Sequence, residues 1–71
     1  MSFTVNKFRR HTGNNSDYYT IKAIYKGIKL NITYDIHKKS IVVHEWYKLT
    51  KEQLLDVQEK IGIHIKNNTK Q

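Results

Sequence analysis

A chain of 71 residues without cysteine has room for one small core, and it excludes disulfides and thiolate metal sites as sources of stability. Thirteen Lys and Arg against six Asp and Glu leave a net charge of +7. That excess favours a polyanionic partner (DNA, RNA or an acidic protein surface) over the bland alternative of solubility alone. No stretch approaches the roughly 18 apolar residues of a membrane span. The opening Met1-Ser2-Phe3-Thr4-Val5-Asn6-Lys7 lacks the apolar run of a secretory leader. The expectation is a soluble cytoplasmic protein, or one in the host cytoplasm or nucleus if it is a viral product.

The first element is a weak strand over Phe3 to Arg10. The polar cluster His11-Thr12-Gly13-Asn14-Asn15-Ser16-Asp17 follows and reads as a mobile connection. From Tyr18 to Lys26 the chain alternates, with Tyr19, Ile21, Ala23 and Tyr25 on one face and Tyr18, Thr20, Lys22, Ile24 and Lys26 on the other. Lys26-Gly27 is a hairpin turn, since Gly tolerates positive φ. Alternation is strict from Ile28 to Ile36. Ile28, Leu30, Ile32, Tyr34 and Ile36 oppose Lys29, Asn31, Thr33 and Asp35, as in a half-buried strand. After the turn His37-Lys38-Lys39-Ser40, a last strand is expected to reach Leu49, with Ile41, Val43 and Tyr47 against Val42, His44, Trp46 and Lys48.

Thr50-Lys51-Glu52-Gln53 is a capping box that opens a helix. Leu54, Val57, Gln58, Ile61 and Ile65 form its apolar stripe, which Leu55 broadens. The helix is expected to run through Gly62. The expected fold class is α+β: a four-stranded antiparallel meander followed by one C-terminal helix packed on one face, β-β-β-β-α. One domain spans 1–66, and 67–71 form a frayed tail.

A single helix covers one face of such a sheet and leaves the other wet. The wet face would carry Tyr18, Lys22, Lys26, Lys29, His44, Trp46 and Lys48. Aromatic rings on an open sheet stack on unpaired bases, and the lysines beside them follow the phosphates. Lys outnumbers Arg 11 to 2, which favours backbone contact over bidentate reading of base edges. Arg9 and Arg10, ahead of the polar cluster, are further phosphate candidates. A solvated edge that resists strand-to-strand aggregation explains them nearly as well. Trp46 equally suits a protein interface.

Chemistry beyond binding finds little support. The four histidines, His11, His37, His44 and His64, are too widely spaced for a paired zinc motif, and no cofactor or metal is expected. Ser2, Ser16 and Ser40 lack the context of a nucleophile elbow. Glu45 is expected on the helix-facing side, where a paired Lys is a more ordinary explanation than a catalytic acid. The reading is that the protein is not an enzyme.

The hairpin Tyr25-Lys26-Gly27, the strand Lys29-Leu30-Asn31-Ile32-Thr33-Tyr34 and the helix entry Tyr47-Lys48-Leu49-Thr50-Lys51-Glu52-Gln53-Leu54 together give the stretch from Tyr18 to Ile61 a resemblance to a known family. It resembles the single-stranded-DNA-binding transcriptional coactivator family known as positive cofactor four. The resemblance implies a curved four-stranded sheet with one C-terminal helix, a homodimer formed largely through the helices, and single-stranded DNA bound across the sheets. It implies phosphate contacts at Lys26 and Lys29, and Lys48 at the last strand. His44-Glu45-Trp46 stands where the family opens its last strand with a small residue, Gly and Ile.

The expected function is sequence-tolerant binding of single-stranded DNA or RNA in replication or transcription, with a viral protein as one such setting. Tyr18 and Trp46 would stack, while Lys22, Lys26, Lys29 and Lys48 neutralise phosphates. The alternative is a small phage or viral inhibitor or regulator that docks on an acidic host protein with Trp46 as its anchor. A third is a subunit whose wet face packs inside a larger assembly.

Overall fold

A computed structural model of the protein describes residues 3–68. Four antiparallel strands form one open sheet in the order β1-β2-β3-β4, followed by one C-terminal helix. The strands are β1 (Phe3–Gly13), β2 (Ser16–Tyr25), β3 (Ile28–Asp35) and β4 (Ser40–Val43), and the helix α1 is Lys51–Asn68. The helix thus extends two residues into the segment expected to fray, and Asn68 Nδ2 donates to the His64 carbonyl at 2.7 Å. Residues 69–71 of that tail, like residues 1 and 2, lie outside the described residues.

Alternation decides which face meets the helix. Tyr19, Ile21, Ala23, Tyr25, Leu30, Ile32 and Val43 are buried against Val57, Ile61 and Ile65. Burying side chains of this size is worth about 1.5–3 kcal/mol each, so this contact dominates stability. Leu54 packs at the margin of the core. Leu55 does not: it is 60% exposed, so the stripe is narrower than expected. The helix begins as its capping box dictates. Gln53 N–H donates to Thr50 Oγ1 at 3.1 Å, and Thr50 N–H donates to Gln53 Oε1 at 3.0 Å. It continues unbroken through Gly62, where an added Cβ would meet nothing within 4 Å.

Three local features depart from simple alternation. The first is a bulge in β1. Val5 pairs with Ala23 but Lys7 pairs with Lys22, leaving Asn6 as an extra residue. A bulge shifts the side-chain phase by one residue. Phe3, Val5 and Phe8 therefore all reach the core side, while Lys7, Arg9 and His11 face water.

The second is the segment expected to be a mobile connection. It is instead the end of a hairpin: β1 and β2 stay paired out to Gly13 and Ser16. Asn15 takes a left-handed φ of 63°, which asparagine tolerates, so two residues suffice to turn the chain. Arg10 and Asp17 clamp the hairpin through a bidentate pair at 2.8 and 3.0 Å. At the other end of β2, Lys26 and Gly27 have φ of 50° and 82°, as a two-residue hairpin whose twist matches the strands requires.

The third is the early end of β4. His44 N–H still donates to the Asn31 carbonyl at 2.9 Å. The Asn31 N–H, however, is taken by Glu45 Oε1 at 2.6 Å. A side chain thus occupies a donor that a longer strand would have used. Trp46–Lys48 then form a single 3-10 turn rather than the expected strand.

Chemical denaturation followed by helical circular dichroism tests this account of the helix. Gly62→Ala should stabilise by up to about 1 kcal/mol, the helix-interior difference between the two residues. Ile61→Ala should cost about 2–5 kcal/mol, and Leu55→Ala no more than about 0.5 kcal/mol. A large loss at Leu55 would mean that a second surface covers it.

Candidate nucleic-acid interface

The face of the sheet opposite the helix is built from cross-strand rows. Lys7 pairs with Lys22 and Lys22 with Asn31; Arg9 pairs with Thr20, Thr20 with Thr33 and Thr33 with Val42; His11 pairs with Tyr18 and Tyr18 with Asp35. At its centre lies a hollow of about 380 Å³, bordered by Lys7, Arg9, His11, Lys22 and His44, with Thr20 and Thr33 between them. A neighbouring depression of about 360 Å³ shares Lys22 and Asn31 and adds Lys29. Cations thus run diagonally across the sheet from Lys7 and Arg9, through Lys22, to Lys29.

Two hydrogen bonds cross the hollow in matching fashion. His11 Nε2 and Thr20 Oγ1 share one of 2.8 Å, and His44 Nε2 and Thr33 Oγ1 share one of 2.9 Å. Each outer strand thus delivers an imidazole to a threonine on the adjacent inner strand. His11 also stacks on Tyr18, with ring centroids 4.9 Å apart and planes 12° from parallel. That pair offers a flat, partly exposed aromatic edge beside the cations.

Among the described residues no carboxylate lines the central hollow, and Lys7, Arg9, Lys22 and Lys29 belong to none of the ion pairs. The carboxylates are engaged elsewhere. Asp17 accepts both Arg10 bonds, with His37 Nε2 at 3.9 Å. The Arg10 bonds hold its carboxyl below the ordinary value, outweighing the opposite push of partial burial. Asp56 accepts from Lys60 Nζ at 3.1 Å and from the Tyr25 hydroxyl at 2.9 Å, and these bonds likewise depress its carboxyl. Burial, followed by the bond to Asp56, raises the Tyr25 phenol. Asp35 Oδ1 accepts the Lys38 N–H at 2.9 Å and closes the turn before β4.

Among the described residues Glu45 pairs with no lysine. Asn31 holds it through the N–H at 2.6 Å and the side-chain amide at 2.7 Å. Partial burial pushes its carboxyl up, but the Asn31 bonds outweigh that and leave it below the ordinary value.

Of the expected site residues, Arg9, Tyr18, Lys22 and Lys29 come together on the wet face. Lys26 stands at the hairpin tip, its ammonium 5.5 Å from the centre of the Tyr25 ring. Arg10 belongs to the other face: β1 parity turns it that way, its guanidinium lies 6.0 Å from the Tyr19 ring, and Asp17 occupies it. Trp46 and Lys48 are displaced from the sheet, because Glu45 ends the strand before them. Trp46 meets Tyr47 edge-on with centroids 6.1 Å apart, and the two are 59% and 66% exposed. His44, expected on the wet face, also borders the hollow, and Lys7, His11, Thr20 and Thr33 complete it without having been named as binding residues. The polar alternation Lys7, Arg9, His11 was the available signal for Lys7 and His11, hidden by the bulge and by the assumption of a loop. Among the described residues no three His, Asp or Glu side chains gather as a metal would need, and no helix is long and apolar enough to cross a membrane. Comparison with protein-family models, with curated proteins and with solved structures gives no match.

The depressed carboxyls set the acid behaviour. Each binds its proton less tightly folded than unfolded, so the unfolded chain takes up more protons as the pH falls. Their stabilisation is complete above the ordinary carboxylate range near pH 4 and is lost as the pH drops through the depressed values. Glu45→Gln keeps one acceptor but removes the charge. It should lower the denaturation midpoint at neutral pH and shrink the loss between neutral pH and about pH 3. An unchanged acid limb would mean that the Asn31 clamp carries no linkage.

Proposed function

We propose that this protein binds single-stranded DNA or RNA across the wet face of its sheet, without strong preference for sequence, in replication or transcription. The observation that carries this reading is the diagonal of Lys7, Arg9, Lys22 and Lys29, four cations with no ion-pair partner among the described residues, beside the Tyr18–His11 stack. An unpaired strand presents what this surface lacks: evenly spaced negative charge for the cations and exposed base faces for the rings. A duplex keeps its bases stacked and offers less to Tyr18. Lys26, expected on this surface, instead turns its ammonium toward the Tyr25 ring and Asp56 on the helix side. A homodimer, which the resemblance to the positive cofactor four family implies, belongs to this proposal. Leu55 and Ile63, exposed on the helix, are the apolar groups such a contact would cover.

A second reading has its own support. Val42, Trp46 and Tyr47 are exposed apolar side chains close together in the chain at the β4 edge, and none of them lines the central hollow, although Val42 is the cross-strand neighbour of Thr33. Aromatic anchors of this kind serve protein interfaces, and an acidic protein partner would suit the surrounding lysines.

Fluorescence anisotropy with labelled thymidylate and uridylate strands separates the two. Four phosphate contacts on a single strand predict a log–log salt slope near −3, or an affinity loss of roughly 50-fold between about 50 and 200 mM salt. Tyr18→Ala should weaken binding by the equivalent of about 1–3 kcal/mol, whereas Trp46→Ala should leave it nearly unchanged. Salt-independent affinity, or loss of binding only in the Trp46 variant, would transfer the argument to the protein-partner reading.

A further inference from the structure

The central hollow holds more charge and more donors than a passing strand requires. A phosphodiester carries one negative charge and two unbridged oxygens. A terminal phosphate carries about −1.5 to −2 and presents three strong acceptor oxygens. Lys7, Arg9 and Lys22 border this single hollow of about 380 Å³, with no lining carboxylate among the described residues to offset them. The carboxylate bonded to a lining residue, Glu45, is held at the rim by Asn31. The volume lies at the lower end of the range for small-molecule sites, which suits one nucleotide rather than a long segment.

The floor adds neutral donors. A threonine hydroxyl has one proton and two acceptor lone pairs. In the tautomers that protonate Nε2, His11 and His44 donate to Thr20 and Thr33, leaving both hydroxyl protons available to an anion in the hollow. Arg9 contributes a planar fork suited to two oxygens of one phosphate. His11 borders the hollow with Tyr18 stacked behind it, and the base next to that phosphate would rest against this pair.

We propose that this hollow seats a terminal phosphate of a nucleic-acid strand, so that the protein prefers phosphorylated strand ends to strand interiors. The inference rests on the nucleic-acid reading of the same face. Arg9 and Lys22 balance the charge, Thr20 and Thr33 supply neutral donors, and Tyr18 with His11 receives the terminal base.

The test compares one short thymidylate strand in three forms, 5′-phosphorylated, 3′-phosphorylated and unphosphorylated, by competition at low salt. One phosphorylated form should bind about tenfold more tightly than the unphosphorylated strand, the equivalent of one charge-assisted hydrogen bond. Which form gains identifies the end that is recognised. Arg9→Gln, Lys22→Gln and the paired Thr20→Val, Thr33→Val variant should erase that ratio. Lys29→Gln, outside the hollow, should weaken all three strands and preserve it. Equal affinity of the three strands for the unaltered protein would overturn the terminal-phosphate proposal and leave the nucleic-acid reading standing. If no strand binds a sample with intact helical circular dichroism, the nucleic-acid reading fails, and titration with inorganic phosphate followed by NMR decides the site alone. Saturable shifts centred on Thr20, Thr33, His11 and His44 would uphold a phosphate seat, and their absence would overturn it.

Discussion

Val57, Ile61 and Ile65 seat against Ile21, Leu30 and Ile32, and every other feature of the molecule is arranged around that contact. One helix cannot cover two faces of a sheet, so seating it on one face commits the other to water. The capping box at Thr50 sets where the helix starts, and with it which residues reach the sheet. The Tyr25 hydroxyl, bonded to Asp56 on the helix, ties the same two layers together at the core margin. An apolar side chain on the wet face would not compete with this arrangement. A charge introduced at Ile61 would.

Two irregularities convert a plain meander into a surface with a centre. The bulge at Asn6 reverses the phase of β1, so that Phe3, Val5 and Phe8 satisfy the core while Lys7, Arg9 and His11 line up opposite Lys22, Thr20 and Tyr18. The Glu45 clamp on Asn31 ends β4 early and leaves His44 beside Thr33 instead of continuing a ladder. Without the first, β1 would lose either its core contacts or its cations. Without the second, continuation of the register would carry Trp46 onto the sheet opposite Lys29.

The net charge becomes meaningful only after folding. Asp17, Asp35, Glu45 and Asp56 each accept hydrogen bonds at a hairpin, a turn, a strand end or a helix face, and Glu52 and Glu59 sit on the helix. None lines the central hollow. The hollow is therefore bordered by Lys7, Arg9 and Lys22 with no carboxylate among its lining residues, a local unbalanced charge of the kind that attracts phosphate.

Period-two alternation in β2 and β3, the capping box and the helical stripe were legible in the amino-acid order, because each is a local pattern that serves burial directly. They determined the β-β-β-β-α architecture, the face that meets the helix, and the wet-face positions of Tyr18, Lys22 and Lys29. Tertiary structure decided the rest. Whether His11 belongs to a loop or a strand depends on pairing with Tyr18 across a two-residue turn, and the phase of Lys7 and Arg9 depends on a bulge that β2 must accommodate. The position of Trp46 depends on a carboxylate capturing an N–H on another strand. These are contacts between residues distant in the chain, whose free energies appear only once the strands lie side by side, so no local pattern announces them.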